Sequence, residues 1–208
     1  LGFQMCRDVV VRDCVTNGNA GNGLHPGAGS TNFLLENCSS SGNEKSGFFF
    51  CVRATRITVK GCRFEGNGDG ISLGTQDCHN LIDSCAVVGN KGAGVVVRSE
   101  ARPVEVHSCK ITGCEIARND QEDGSTQVVI PAPAHDLVLR GNRIDGAGRT
   151  AGIVAANGVR NLFLENNVFP GCSEEVVADV ACFAKTEPLI EPGFGDHPEE
   201  FFRHLPKG

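Results

Sequence analysis

Three words decide the fold: VVVRDC at 9–14, FLLENC at 33–38 and ITVKGC at 57–62. Each ends in Cys, and the series continues. Cys14, Cys38, Cys62, Cys85 and Cys109 are spaced 24, 24, 23 and 24 residues apart, and Asn142 and Asn167 extend the series after one insertion. VEVHSC (104–109), LVLRGN (137–142) and FLENN (163–167) repeat the same word. Four residues after each marker stands a glycine: Gly18, Gly42, Gly66, Gly89, Gly113, Gly146 and Gly171. Asn19, Asn43, Asn67 and Asn90 follow the first four. A second glycine then opens another apolar run, as in Gly23-Leu24, Gly47-Phe48, Gly70-Ile71, Gly94-Val95 and Gly152-Ile153. Seven such units cover residues 6 to about 182.

Each unit holds three short segments of period 2, such as Val9 and Val11, then Cys62 and Phe64, then Ile71 and Leu73. Alternation at that period puts one face in and one face out, and no run is long enough for an ordinary helix. A lone three-strand unit cannot bury its inner face, but stacked units can, each strand pairing in parallel with its equivalent about 4.8 Å away. The expected fold is all-β: a single-stranded right-handed parallel β-helix (a solenoid) of about seven to eight coils of 23–25 residues, with a C-terminal cap. Leucine-rich repeats need a denser Leu frame, and a propeller needs antiparallel hairpins.

The coils are expected over 1–182 and a capping tail over 183–208, where Pro198 to His204 reads as a short helix. Gly2 to Cys6 reads as the third strand of a coil, so the first coil is expected to be truncated. Residues 115–127 read as the one sizeable insertion.

The composition is that of a folded domain: 21% charged, 40% hydrophobic, net charge −6. An acidic balance without Tyr or Trp excludes a phosphate-tracking or base-stacking nucleic-acid binder. No apolar run reaches membrane-helix length, and no signal-peptide pattern is present; the chain starts at Leu1 without a Met. The eleven cysteines form no CxxC, which argues against zinc and iron–sulfur motifs. Five of them share one inward position and read as a stack of buried thiols acting as small apolar groups. Six histidines and one Met show no cluster, so no metal site is expected.

Parity on the third strand and the turn after it gives the outward residues. They are His25, Gly27 and Gly29; then Phe49, Cys51 and Arg53; then Ser72, Gly74 and Gln76; then Val96, Arg98 and Glu100, with Asp77 one residue beyond Gln76. Stacking gathers them into one patch on the order of 15 Å tall. Pro26 restricts the backbone of His25 to extended conformations, while Gly27 and Gly29 suit close approach of a ligand to the main chain. The bland alternatives are a tight connection between coils and surface ion pairs worth little.

The runs NGLHPGAGS (22–30), SGFFFCVRATR (46–56), GDGISLGTQDCHN (68–80) and GAGVVVRSE (92–100) resemble bacterial right-handed parallel β-helix repeat proteins of the pectate-lyase-like superfamily. That family carries an HPG[ST]GS turn, a Cys-Trp-Arg word, a Gly-His-Lys-Asp word and an Arg-x-Glu word in successive coils. His25, Cys51, Arg53, Asp77, Arg98 and Glu100 match it; Val52 replaces the Trp, and Thr75-Gln76 replace the His-Lys pair. The wider superfamily holds pectate and alginate lyases, polygalacturonases and mannuronan C5 epimerases. The resemblance implies a secreted or periplasmic protein with a polysaccharide as partner.

The expected function is therefore a lyase or C5 epimerase acting on a uronate-containing polysaccharide in a groove on the third-strand face. His25 is the candidate base, Arg53 and Arg98 are carboxylate clamps, and Asp77 and Glu100 orient the arginines or bind Ca²⁺. Gly27, Phe49, Cys51, Ser72 and Gln76 are candidate substrate contacts. A non-catalytic carbohydrate-binding or structural module is the alternative. A glycoside hydrolase ranks lower, since Asp77 and Glu100 are a thin carboxylate pair.

Overall fold

A computed structural model describes residues 1–98, 105–120, 122, 126–131 and 133–190. The alternating segments become short strands, and like strands of successive coils join into three sheets. The first sheet runs through Arg7–Arg12, Thr31–Glu36, Thr55–Lys60, Leu81–Asp83, Val106–Thr112, Ala134–Arg140 and Arg160–Glu165. The second runs through Val15–Asn17, Ser39–Ser41, Arg63–Glu65, Ala86–Val88, Glu115–Ala117 and Arg143–Asp145. The third runs through Ser46–Phe49, Asp69–Leu73, Val95–Val97, Thr126–Ile130, Ala151–Ala155 and Val176–Val177. Gly2–Phe3 pairs with His25–Pro26, and a Leu24–Phe48 bridge joins that pair to the third sheet. Every pairing among the described residues is parallel, and the chain is a β-solenoid of about seven turns.

The inward columns follow the period-2 reading. Phe33 and Ile57 pair in the first sheet, Phe64, Val87 and Ile116 in the second, and Phe48, Ile71 and Val95 in the third. All are essentially fully buried. Burying one such side chain contributes about 1.5–3 kcal/mol, so the stacked columns supply the main driving force.

One corner is held by a polar column. Asn43 Oδ1 accepts from the main-chain and side-chain nitrogens of Asn19, Asn67 Oδ1 does the same for Asn43, and Asn90 Oδ1 for Asn67. Asn119 continues the series, and Gln127 Oε1 ends it by accepting from Asn119. Each Nδ2 also donates to a strand carbonyl, for example that of Asn67 to Ser40 O at 3.0 Å. The recurring second glycine is explained here. A Cβ on Gly47 would lie 2.6 Å from the Asn67 amide nitrogen and 3.0 Å from Gly70 O.

The thiol column differs from the sequence reading at one rung. Cys38 N–H donates to Cys62 Sγ and Cys85 N–H donates to Cys114 Sγ, while Cys114 N–H donates to Asn142 Oδ1. The fifth marker is therefore Cys114, not Cys109, and this rung is 29 residues long. Cys109 keeps the 24-residue spacing but pairs with Leu137 in the first sheet. The extra length lies between Val97 and Val106, in addition to the lengthening between Ala117 and Thr126. Both cysteines occupy inward, buried positions after alternating residues, which is why spacing alone chose the wrong one. All eleven cysteines are free. Bonding to the next thiol, together with burial, pushes Cys38 and Cys85 above the ordinary thiol range, and burial does the same for Cys109. These thiols stay protonated and pack as apolar groups.

After the strand Val176–Val177 comes a short 3₁₀ turn, Val180–Cys182. Phe183 bridges to Leu162, and Glu187 pairs with Arg140 at 2.6 Å and with Lys110 at 3.6 Å. Residues 183–190 thus lie along the first sheet, while the expected helix at Pro198 to His204 falls outside the described residues.

Replacing Asn67 by Ala leaves the Asn43 main-chain N–H buried without its partner and removes the side-chain bond to Ser40 O. The expected loss is about 3 kcal/mol, read as a lowered urea midpoint, whereas a cavity-sized Ala at exposed Asn17 leaves the midpoint nearly unchanged.

Candidate functional site

The third-sheet register brings the outward residues into columns. His25 sits beside Phe49 next to the Leu24–Phe48 bridge, and Ser72 pairs with both Phe49 and Val96. In the next column Cys51 N–H donates to Pro26 O and Arg98 N–H donates to Leu73 O. That column contains Gly27, Cys51, Gly74 and Arg98. The turn column contains Gly29, Arg53 and Gln76, all left-handed, with φ of 70°, 62° and 61°.

Four of the expected residues meet directly. The Arg98 guanidinium lies 4.0 Å from the centroid of the Phe49 ring. Its Nη1 donates to Ser72 Oγ and its Nη2 to Phe50 O, both at 2.9 Å. The side chain therefore reaches back across two rungs and caps the aromatic ring, a contact worth about 0.5–2 kcal/mol. The His25 ring meets Phe49 edge-on, the two centroids 5.0 Å apart at 86°. His25 Nε2 is sealed from solvent with no hydrogen-bond partner. Burial lowers the His25 pKa below the usual histidine value, and the positive charge of Arg98 acts in the same direction. The ring is neutral at pH 7, with a lone pair available. A cleft of about 360 Å³ opens beside it, lined by Gly2, Phe3, Gln4, His25, Gly27, Ala28 and Cys51.

Other expected residues are placed differently. Asp77 is fully buried: Oδ1 accepts from Ala54 N–H at 3.0 Å and Oδ2 from Gly74 N–H at 2.7 Å. Its carboxylate ties two turns together, each oxygen accepting from a main-chain amide. Gly27 lines the cleft, but its missing Cβ serves the fold. A Cβ there would collide with the Phe3 carbonyl, to which Gly27 N–H donates. Ser72 is buried beneath Arg98. Arg53 is exposed and Gln76 half-buried on the turn. Glu100 lies outside the described residues.

The sequence showed no cluster of histidines, yet the fold brings three potential ligand side chains together. The ligand atoms of Cys78, His79 and His107 lie within 4.8 Å of one another. Cys78 bridges to Thr55 on one side and to His107 on the other, and His107 pairs with His135. The residue after this column is left-handed on every rung: Asp8, Asn32, Arg56, His79, Ser108, Asp136 and Asn161. A left-handed residue breaks strict alternation, so Cys78 and His79, neighbours in sequence, serve one site. The recurring polar or small residue at this point of each coil was the signal available in the sequence.

A family model described as a right-handed beta helix region matches residues 2–169. The chain belongs to that family. Similar solved structures of this right-handed β-helix include the A-modules of the Azotobacter vinelandii mannuronan C-5 epimerases AlgE4 and AlgE6. The first is 18% identical, with a TM-score of 0.67, covering 86% of this chain and 58% of that one. The second is 19% identical, with a TM-score of 0.66, covering 88% and 59%. PfbA, a surface adhesin of Streptococcus pneumoniae, is similar at 15% identity and a TM-score of 0.56, covering 82% and 46%. The β-helix thus spans less than two thirds of each of these chains, and at such identities the likeness is one of fold. No curated protein matches. No helix among the described residues is long and apolar enough to cross a membrane.

The histidine shifts predict a pH dependence of stability. His25 and His107 both titrate below 6.5 in the folded chain, chiefly through burial. The unfolded chain therefore binds more protons once the pH falls through 6.5. Stability is full above that value and declines as the pH drops from 7 towards 5, before the lowered Asp136, Glu65 and Glu187 carboxyls begin to matter. Thermal melts across this range show a falling Tm, and the slope is shallower in His25→Gln.

Proposed function

We propose that this β-helix binds an extended acidic polysaccharide along the outer face of its third sheet and removes the C5 proton of a uronate residue, ending in β-elimination or C5 epimerisation. One observation carries the reading: a neutral His25 imidazole that lines an open cleft beside an aromatic ring capped by Arg98. The epimerase modules that share the fold support the substrate class.

The chemistry needs a base, a cation at the carboxylate and a fate for the electron pair. The His25 imidazole, which lines the cleft, takes the C5 proton. Arg53, exposed on the turn, and the Arg98 guanidinium over the Phe49 ring stabilise the charge that develops on the carboxylate. In elimination the electron pair forms a C4–C5 double bond and the C4–O bond breaks, the leaving oxygen taking the proton that His25 carries. In epimerisation the pair is reprotonated on the opposite face. Phe49, held in place from above and from the side, offers the sugar ring an apolar edge. Hydrolysis needs two facing carboxylates, and the buried amide bonds of Asp77 remove one of them.

A second reading is a non-catalytic recognition module. It is favoured by the pinning of Arg98 to Ser72 and Phe50, which suits a rigid binding face, and by the adhesin of the same fold.

Incubation with a panel of polyuronates separates the two. The enzyme reading expects either ultraviolet absorbance from the new double bond or solvent deuterium at C5 by NMR. His25→Ala then lowers turnover about 100-fold or more while polymer binding persists. Binding without either signal establishes the recognition module, and activity that survives both His25→Ala and Arg53→Ala rejects the residue assignment.

A further inference from the structure

We propose that Cys78, His79 and His107 form a binding site for a borderline-soft divalent cation of the zinc type, with three protein ligands and a fourth position open to water. The site shares no residue with the His25–Phe49–Arg98 cluster and does not depend on the polysaccharide reading.

The donor set decides the class of ion. One thiol sulfur and two imidazole nitrogens suit zinc-like ions, whereas Ca²⁺ and Mg²⁺ require oxygen ligands. The three donor atoms lie within 4.8 Å of one another, close enough for small side-chain rotations to bring them around one ion. The thiolate that coordination requires forms by release of a proton from Cys78, whose pKa in the metal-free chain is raised mainly by burial.

A second, independent observation points to a ligand. His79 Nδ1 is sealed from solvent and has no hydrogen-bond partner. A buried imidazole nitrogen left unpaired costs free energy, a cost that ligation through Nδ1 would remove.

The surroundings are organised as a supporting shell. Asp77, immediately before Cys78, is fixed by the amides of Ala54 and Gly74. Asn80, immediately after His79, is buried, with Oδ1 accepting from Ile57 N–H and Nδ2 donating to Ala54 O, both at 2.9 Å. The Cys78–His79 pair is thus clamped at both ends by buried polar groups. His107 Nδ1 lies 3.1 Å from Ser108 Oγ, a contact of the kind that sets the tautomer and orientation of a ligating ring. Behind it the His135 ring stacks in parallel, with a centroid distance of 4.9 Å and an interplanar angle of 2°. His135 is not a ligand: Nδ1 meets Asp136 Oδ2 at 2.7 Å and Nε2 faces Glu105 Oε2 at 3.6 Å. It is a wall that holds His107 in place. Asp77, Glu105 and Asp136 add negative charge nearby, which Arg56 and Arg160 partly offset.

The test titrates the full chain, reduced and freed of metal, with Zn²⁺ by calorimetry and with Co²⁺ by absorption spectroscopy. The expected result is one equivalent bound, a thiolate-to-cobalt charge-transfer band, d–d bands of tetrahedral intensity and a rise in Tm with Zn²⁺. Cys78→Ala abolishes the charge-transfer band, and His79→Ala and His107→Ala each weaken Zn²⁺ binding about tenfold or more. Circular dichroism confirms that each variant is folded, and Cys78→Ser serves as a milder replacement should Cys78→Ala fail that check. Cys51→Ala, on the other cleft, leaves band and affinity unchanged. The proposal is overturned if the folded wild type binds no Zn²⁺ at micromolar concentration, or if the charge-transfer band persists in Cys78→Ala or Cys78→Ser.

Discussion

The whole molecule obeys one constraint: each coil must hand its successor the same row of donors and acceptors, one rung further along the axis. The asparagine column shows how strictly the corner enforces it. Each amide oxygen serves two nitrogens of the preceding rung, and from Asn43 to Asn119 each Nδ2 also donates to a strand carbonyl. The glycines that open the third strands are sterically tied to this column, since a Cβ at Gly47 or Gly70 would strike the amide of the next asparagine. The thiol column performs a similar task with weaker bonds, and it passes to asparagine at Asn142 without a change of geometry.

Such a fold is unusually legible in sequence, because a constraint imposed on every rung leaves a mark at every repeat. The inward columns from Val11 to Leu139 were readable from alternation, and the outward column of His25, Phe49 and Ser72 from parity. Reading failed where length is free to vary. Between Val97 and Val106 the corner absorbs extra residues, so the 24-residue spacing pointed to Cys109 although the hydrogen bonds pass to Cys114. It failed again at Asp77. Counting from Gly70 takes no account of the tight turn Gly74 to Asp77, which rotates that carboxylate onto main-chain amides.

The two candidate sites lie on either side of that turn. On the strand before it, alternation survives and distant residues meet by stacking, as Arg98 does on Phe49. After it, the left-handed column suspends alternation, and Cys78 and His79 work together with a histidine from the following coil. Asp77 belongs to neither site, yet it fixes the backbone between them.

Because the main-chain bonds of the three sheets point along the axis, the molecule is mechanically anisotropic. A pull that separates the two ends loads one rung at a time, so coils detach in sequence at modest force. A shear that slides one coil across the next loads all three sheets of that rung together.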